Sequence, residues 1–258
     1  MKWMIRCVVA VCSIIGGIKA MPVNYASSGD CNSCTIRYVA LGDSIAYGYG
    51  LDNRERDSYV GQVRKYLESR GNYVILTNLG KNGMRSDELL DILTDPENEK
   101  YRKYRATLSY ADVITISIGS NDLLHLIKLN INMEDVIREG AGKFQKACLQ
   151  FAYNFPRIVE EIRKVNPDAK IYANNIYNPA KGISAYASVY DIAERYINLL
   201  NKAFVSEEDY DLVDIKKAFD RQTQSMVNLS LNGREIDPHP SKEGHRLMGQ
   251  MVIKRMTE

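Results

Sequence analysis

Apolar residues along this chain follow two rhythms. Short, nearly continuous runs occupy residues 35–41, 73–79, 111–118 and 170–176, with a weaker fifth run at 211–215. They are rich in Val, Ile, Tyr and Thr, and the first three end on Gly42, Gly80 and Gly119, so they read as strands. A strand that is apolar on both faces must be covered on both faces, which points to a parallel sheet between two helical layers. The second rhythm is helical. Residues 59–70 form a helix closed by Gly71. Phe144, Cys148, Phe151, Phe155, Ile158, Ile162 and Val165 recur every three or four positions and define one buried helix face, which Pro156 is expected to kink or split. A last helix starts near Ser241, with Leu247, Met248, Met251 and Val252 inward and Pro240 suited to its first position. Strand and helix alternate without a linker or repeat, so the expectation is one α/β domain with right-handed crossovers.

The first twenty residues stand apart. Lys2 and Arg6 precede a twelve-residue apolar run at 7–18 that ends in Lys19-Ala20. This is the order of a secretory signal peptide, and the run is short of the roughly 20 residues needed to span a bilayer. The expected division is a signal peptide at 1–20, an N-terminal segment at 21–35, and the α/β domain at 36–258, in a secreted or extracytoplasmic protein without a permanent membrane span.

Composition agrees with a folded, water-soluble domain: of 258 residues, 45% are hydrophobic and 26% charged, and 34 basic side chains against 32 acidic ones give a net charge of +2. Cleavage after Ala20 deletes Lys2, Arg6 and Lys19 and no acid, turning +2 into −1. No positive excess remains to neutralise phosphates, which argues against a nucleic-acid partner. In an exported protein, Cys31-Asn-Ser-Cys34 can close a small disulfide, and Cys148 on its apolar stripe reads as a buried hydrophobe. Three histidines and no second cysteine pair argue against a zinc site. His125 and His245 suit helix surfaces or caps.

Four short blocks can carry chemistry. Gly42-Asp43-Ser44 follows the first strand, placing a hydroxyl at the carboxyl end of the sheet, where open α/β sheets bind ligands. Gly83 closes the second strand's loop with an accessible backbone N–H. Gly119-Ser-Asn121-Asp122 closes the third and offers a neutral amide donor. Asp237-Pro238-His239-Pro240 precedes the last helix with an imidazole beside a carboxylate. Alone, each block reads equally as a turn or a helix cap. In this order they supply a nucleophile, an oxyanion hole, a base and an orienting acid, the parts needed for acyl transfer.

The blocks and their flanks, YVALGDSIAYGYG, NLGKNG and ITISIGSND, resemble those of the SGNH (GDSL-type) hydrolases, in particular the bacterial lipase/acylhydrolase branch, from about Tyr38 to the C-terminus. The resemblance implies a three-layer α/β/α, flavodoxin-like fold around a mainly parallel five-stranded sheet. It implies ester hydrolysis through an acyl-enzyme, with no cofactor and no metal. Ser44 resembles the family nucleophile and His239 its base; the N–H groups of Ser44 and Gly83 and the Asn121 side chain resemble its oxyanion hole. The family usually places its triad aspartate three residues before the histidine, where this chain has Ile236. Asp237 is the nearest acid, with Glu235 or a backbone carbonyl as alternatives. The substrate expected is a small-molecule ester or an acyl lipid. A thioesterase or carbohydrate O-deacetylase uses the same groups, and a non-catalytic ligand-binding module is the reading outside enzymes. Substrate choice is expected in loops at 53–57, 87–103, 128–140 and 178–190.

Overall fold

A computed structural model describes residues 34–128, 141–183, 187–204, 208–229 and 236–258. Residues 1–33, which include the expected signal peptide and Cys31, and Glu235 lie outside these residues. Strands β1 (Thr35–Gly42), β2 (Tyr73–Asn78), β3 (Val113–Ser117), β4 (Lys170–Asn174) and β5 (Asp211–Val213) form one parallel sheet in the order β2-β1-β3-β4-β5. This is the flavodoxin-like order, with its switch point between β1 and β3.

In β1, β3 and β4 the continuous apolar runs have the cause expected of them, whereas the edge strand β2 leaves Tyr73 and Ile75 exposed. Along β1, Ile36, Tyr38 and Ala40 enter one buried cluster while Val39 and Leu41 enter the other. Helices α3 (Tyr59–Ser69) and α10 (Lys242–Thr257) cover the first face. Helices α4 (Ser86–Thr94), α5 (Tyr101–Ser109), α7 (Ala141–Val165) and α8 (Ala187–Asn201) cover the second. The remaining helices are α1 (Ser44–Tyr47), α2 (Arg54–Asp57), α6 (Ser120–Lys128) and α9 (Ile215–Asp220). Among the described residues, no helix is long and apolar enough to cross a membrane.

Several local expectations need correction. Pro156 does not divide α7, which runs unbroken for 25 residues. Pro156 and Ala152 face solvent, so the carbonyl that loses its N–H partner there is left to water. Pro240 does not open the last helix. It ends a strand, and Ser241 caps α10 by accepting from the Gly244 N–H at 3.1 Å. That strand, β7 (Ile236–Pro240), pairs antiparallel with β6 (Val227–Leu229), a hairpin with no clear alternating pattern in the sequence. Cys148 is buried as expected, and burial pushes its thiol up to about 11. Cys34 is exposed, and its expected partner lies outside the described residues.

Of the two places expected for it, a helix surface or a cap, His245 takes the second, on a helix other than its own. It lies on no surface: it is 0% exposed, and its Nδ1 accepts from the Tyr59 N–H at 3.3 Å. The imidazole thus serves the N-terminus of α3 from α10 and joins the two helices. Burial, and secondarily the nearby His239, pushes it down to about 3 from an ordinary 6.5. An unfolded chain therefore takes up a proton that the folded one refuses. Stability is lost as pH falls from about 6.5 towards about 3, by at most about 1.4 kcal/mol per pH unit for one proton. Denaturant titrations at several pH values should show this contribution as the difference in pH slope between the parent and a variant that lacks the imidazole. The slope contribution should vanish in a His245→Asn variant, and equal slopes in the two proteins would refute it.

Candidate active site

The turn after β1 is built to present a serine. Gly42 adopts φ 128°, and a Cβ there would stand 1.8 Å from the Ser117 carbonyl oxygen. Only glycine lets β1 leave so close to β3. The next residue, Asp43, donates its backbone N–H to that same carbonyl at 3.0 Å. On the other side, the Lys81 N–H donates to the Gly42 carbonyl at 3.0 Å, so the turn is pinned to the end of β3 and to the loop after β2. The Asp43 carboxylate caps α1 by accepting from the Ile45 N–H at 2.8 Å. Ser44 is thereby fixed as the first residue of α1, at the carboxyl edge of the sheet.

His239 reaches this serine from the far end of the chain. Its Nε2 lies 2.9 Å from Ser44 Oγ. Its Nδ1 contacts Asp237 Oδ1, and its own backbone N–H donates to that oxygen at 3.1 Å. An irregular register explains how an acid only two residues away can do this. Val227 pairs with Pro240 and Leu229 with Ile236, so the single residue Asn228 faces three: Asp237, Pro238 and His239. Side chains at i and i+2 share a strand face, and the extra residues push that face outward. Asn228 Nδ2 then donates to Asp237 Oδ2 at 3.4 Å, and the Tyr177 hydroxyl donates to the Pro238 carbonyl at 2.7 Å. The Tyr49 ring lies against the imidazole with centroids 4.5 Å apart.

The other two blocks flank Ser44, because β2 and β3 flank β1. Gly83, at φ 77°, is exposed in the loop after β2. Asn121 is buried in the first turn of α6, and its Nδ2 donates to the Met84 carbonyl at 3.1 Å, leaving its second amide hydrogen uncommitted by that bond. Asp122 accepts from both the backbone N–H and the hydroxyl of Ser86.

Two carboxyls beneath the site are shifted upward. Burial pushes Asp43 up to about 7, with the charge of Asp122 adding to it. Burial pushes Asp122 up to about 6 against the opposing effect of its Ser86 bonds. Among the described residues, no group of three or more His, Cys, Asp or Glu side chains is placed to hold a metal ion. The arrangement can pass a proton from a hydroxyl to an imidazole whose other nitrogen faces a carboxylate.

Residues 40–247 match the model of the GDSL-like Lipase/Acylhydrolase family. The chain belongs to this family. It is therefore a GDSL-type hydrolase with esterase chemistry. Among curated relatives, Uncharacterized protein YpmR of Bacillus subtilis is 26% identical over 84% of this chain and 79% of its own length. Spore germination lipase LipC of Bacillus licheniformis is likewise 26% identical, over 84% of this chain and 95% of its own. The solved lipase Lip_vut3 from a goat rumen metagenome superposes with a TM-score of 0.66 at 24% identity, covering 85% of this chain and 97% of its own, which establishes a shared fold.

The structure brings Ser44, His239 and Asp237 together and sets Gly83 and Asn121 on either side; Glu235 falls outside the described residues. Sequence reasoning missed Asn228, Tyr177, Tyr49, Ser86 and Asn154, none of which has a local motif. Asp43 did have one, the helix-cap position. Two stretches read as substrate loops are instead largely helical: 53–57 holds α2, and 87–103 holds most of α4 and the start of α5. Much of 128–140, and residues 184–186 of 178–190, lie outside the described residues.

The close approach at Gly42 yields a direct test. Gly42→Ala should destabilise the fold by at least about 3 kcal/mol, since it combines a left-handed φ with a backbone clash. Gly71→Ala, at φ 85° with open space around it, should cost only about 1 kcal/mol. Urea unfolding of the two variants should rank them in that order.

Proposed function

We propose that the protein hydrolyses carboxylic esters through an acyl-enzyme on Ser44. The observation that carries this reading is the 2.9 Å approach of His239 Nε2 to Ser44 Oγ across 195 positions of sequence. His239 removes the hydroxyl proton as Ser44 Oγ attacks the ester carbonyl. Asp237 holds the imidazole tautomer whose Nε2 can accept, and offsets the charge the ring gains. The negative oxygen is met by the N–H groups of Ser44 and Gly83 and by the Asn121 amide. His239 then protonates the departing alcohol, and afterwards activates the water that releases the acid.

The substrate class favoured is a small-molecule ester or an acyl lipid. Family membership and the likeness to a spore germination lipase, which covers almost all of that protein, support it. Thioesters and acetylated sugars fall within the same chemistry. Export from the cytoplasm belongs to the same reading and rests on the charged, apolar, small-residue order of residues 1–20.

Hydrolysis of short-chain p-nitrophenyl esters should be measurable in the parent. It should fall by at least about 10,000-fold in Ser44→Ala, and mass spectrometry should find an organophosphonate adduct on Ser44. Asp237→Asn should lower kcat by about 1,000- to 10,000-fold, while Glu235→Gln should leave it within about threefold. Activity that survives in Ser44→Ala, or a pH–rate profile that stays flat down to about pH 4, would refute the mechanism.

A further inference from the structure

Gly83 and Asn121 lie on different elements, and neither element alone fixes the distance between them. Gly83 is bare: a Cβ built on it would meet nothing within 4 Å, so packing does not hold it in place. On the side of Ser44 the loop is tied by the Lys81 N–H to the Gly42 carbonyl at 3.0 Å and closed by the Met84 N–H on the Lys81 carbonyl at 3.1 Å; towards α6 the restraint comes from the residues that follow. Met84 is fully buried, and its carbonyl accepts from Asn121 Nδ2 at 3.1 Å. Two positions on, the Ser86 N–H donates to Asp122 Oδ2 at 3.1 Å, and the Ser86 hydroxyl donates to Asp122 Oδ1. Ser86 Oγ also accepts from Asn154 Nδ2 at 2.9 Å, and Asn154 Oδ1 accepts from Gln150 Nε2 at 2.9 Å.

Consecutive residues of α6 thus grip near-neighbours of the Gly83 loop at two points. One bond would let the loop pivot relative to α6; two restrain both its distance from that helix and its rotation against it. Ser86, Asp122 and Asn154 are all buried, so water does not compete for these bonds. The carboxylate also does work that α4 cannot do for itself. Arg85, at the cap position of α4, makes no side-chain cap bond, and Asp122 reaches the first N–H of that helix from outside.

We propose that Asp122, with Ser86 and Asn154, forms a positioning clamp that sets the separation of the Gly83 N–H and the Asn121 amide, and so tunes the oxyanion hole without touching substrate. The proposal rests on the acyl-enzyme reading above. Small displacements of such donors are costly in rate, because they must fit the oxygen of the transition state rather than that of the ground state.

Steady-state kinetics on p-nitrophenyl butyrate tests it. Asp122→Asn keeps the shape but turns an amide or a poorer acceptor towards the Ser86 donors. It should lower kcat by about 10- to 100-fold while KM stays within about threefold. Introduced into Asn121→Ala, the same change should cost less than about threefold more, because the hole it aligns has already lost its side-chain donor. Asn154→Ala spares the carboxylate and removes one bond to Ser86; it should lower kcat by about three- to tenfold, and it keeps the test decisive if Asp122→Asn does not fold. Unchanged kcat in either single variant, or equal losses from Asp122→Asn with and without Asn121, would overturn the clamp. Ser44→Ala in the same assay separates the two claims. Activity surviving there removes the acyl-enzyme reading and the clamp with it, whereas loss of activity there with a kcat indifferent to Asp122 and Asn154 removes the clamp alone.

Discussion

The contact between Ser44 and His239 exists only while the last helix is seated on the sheet. Ser44 is fixed by the turn after β1, whose two sides are hydrogen-bonded to the loop after β2 and to the end of β3. His239 sits in a short hairpin that the Tyr177 hydroxyl ties to the sheet side through the Pro238 carbonyl. Its position depends on α10, which follows directly and buries Met248 and Val252 in the cluster that holds Tyr59, Val60 and Val63 of α3. Burying such side chains is worth about 2 kcal/mol each, and the His245–Tyr59 bond adds a directional constraint to the same pair of helices. Apolar packing thus supplies the energy that holds a polar contact at 2.9 Å.

Around that contact, the protein sorts its ionisable groups by depth. Asp237 and His239 are partly exposed and face one another. Asp43, Asp122 and His245, deeper in, are all driven towards their neutral forms, because a charge removed from water is expensive unless fully paired. Their effects on stability have opposite signs. The folded state binds protons on Asp43 and Asp122 that the unfolded chain releases above an ordinary 3.8, so these two lose stability as pH rises towards 6 and 7. His245 loses it as pH falls. Between about pH 4 and 6 the two acids outweigh the single histidine, so the buried floor of the site is least penalised at the acid end of that range.

Much of the fold was legible because a strand covered on both faces must be apolar at every position, and that pattern survives in the sequence. The five strands were located to within a few residues, and their alternation with helices led to the parallel α/β architecture. The β6–β7 hairpin was not legible. Its strands span three and five residues, and Pro238 and Pro240 argue against a strand there. Pro156 misled for a related reason: a proline's effect depends on whether the orphaned carbonyl faces water, which the helix's tertiary setting decides. For His245 the choice between surface and cap stayed open, because nothing local distinguishes a histidine that caps another helix from one that faces solvent.

The sequence by itself determined the candidate site residues and their order, since each stands at the end of a strand or beside a helix start, where local backbone geometry favours glycine, a small polar residue or proline. It could not determine what joins them. The partnership of Ser44 with His239, the choice of Asp237 through an irregular hairpin facing Asn228, and the grip of Asp122 on Ser86 all connect residues on separate elements. Such pairings leave no periodicity or spacing behind, because they are set by the three-dimensional docking of helices on a sheet and not by the local conformational preferences that a sequence records.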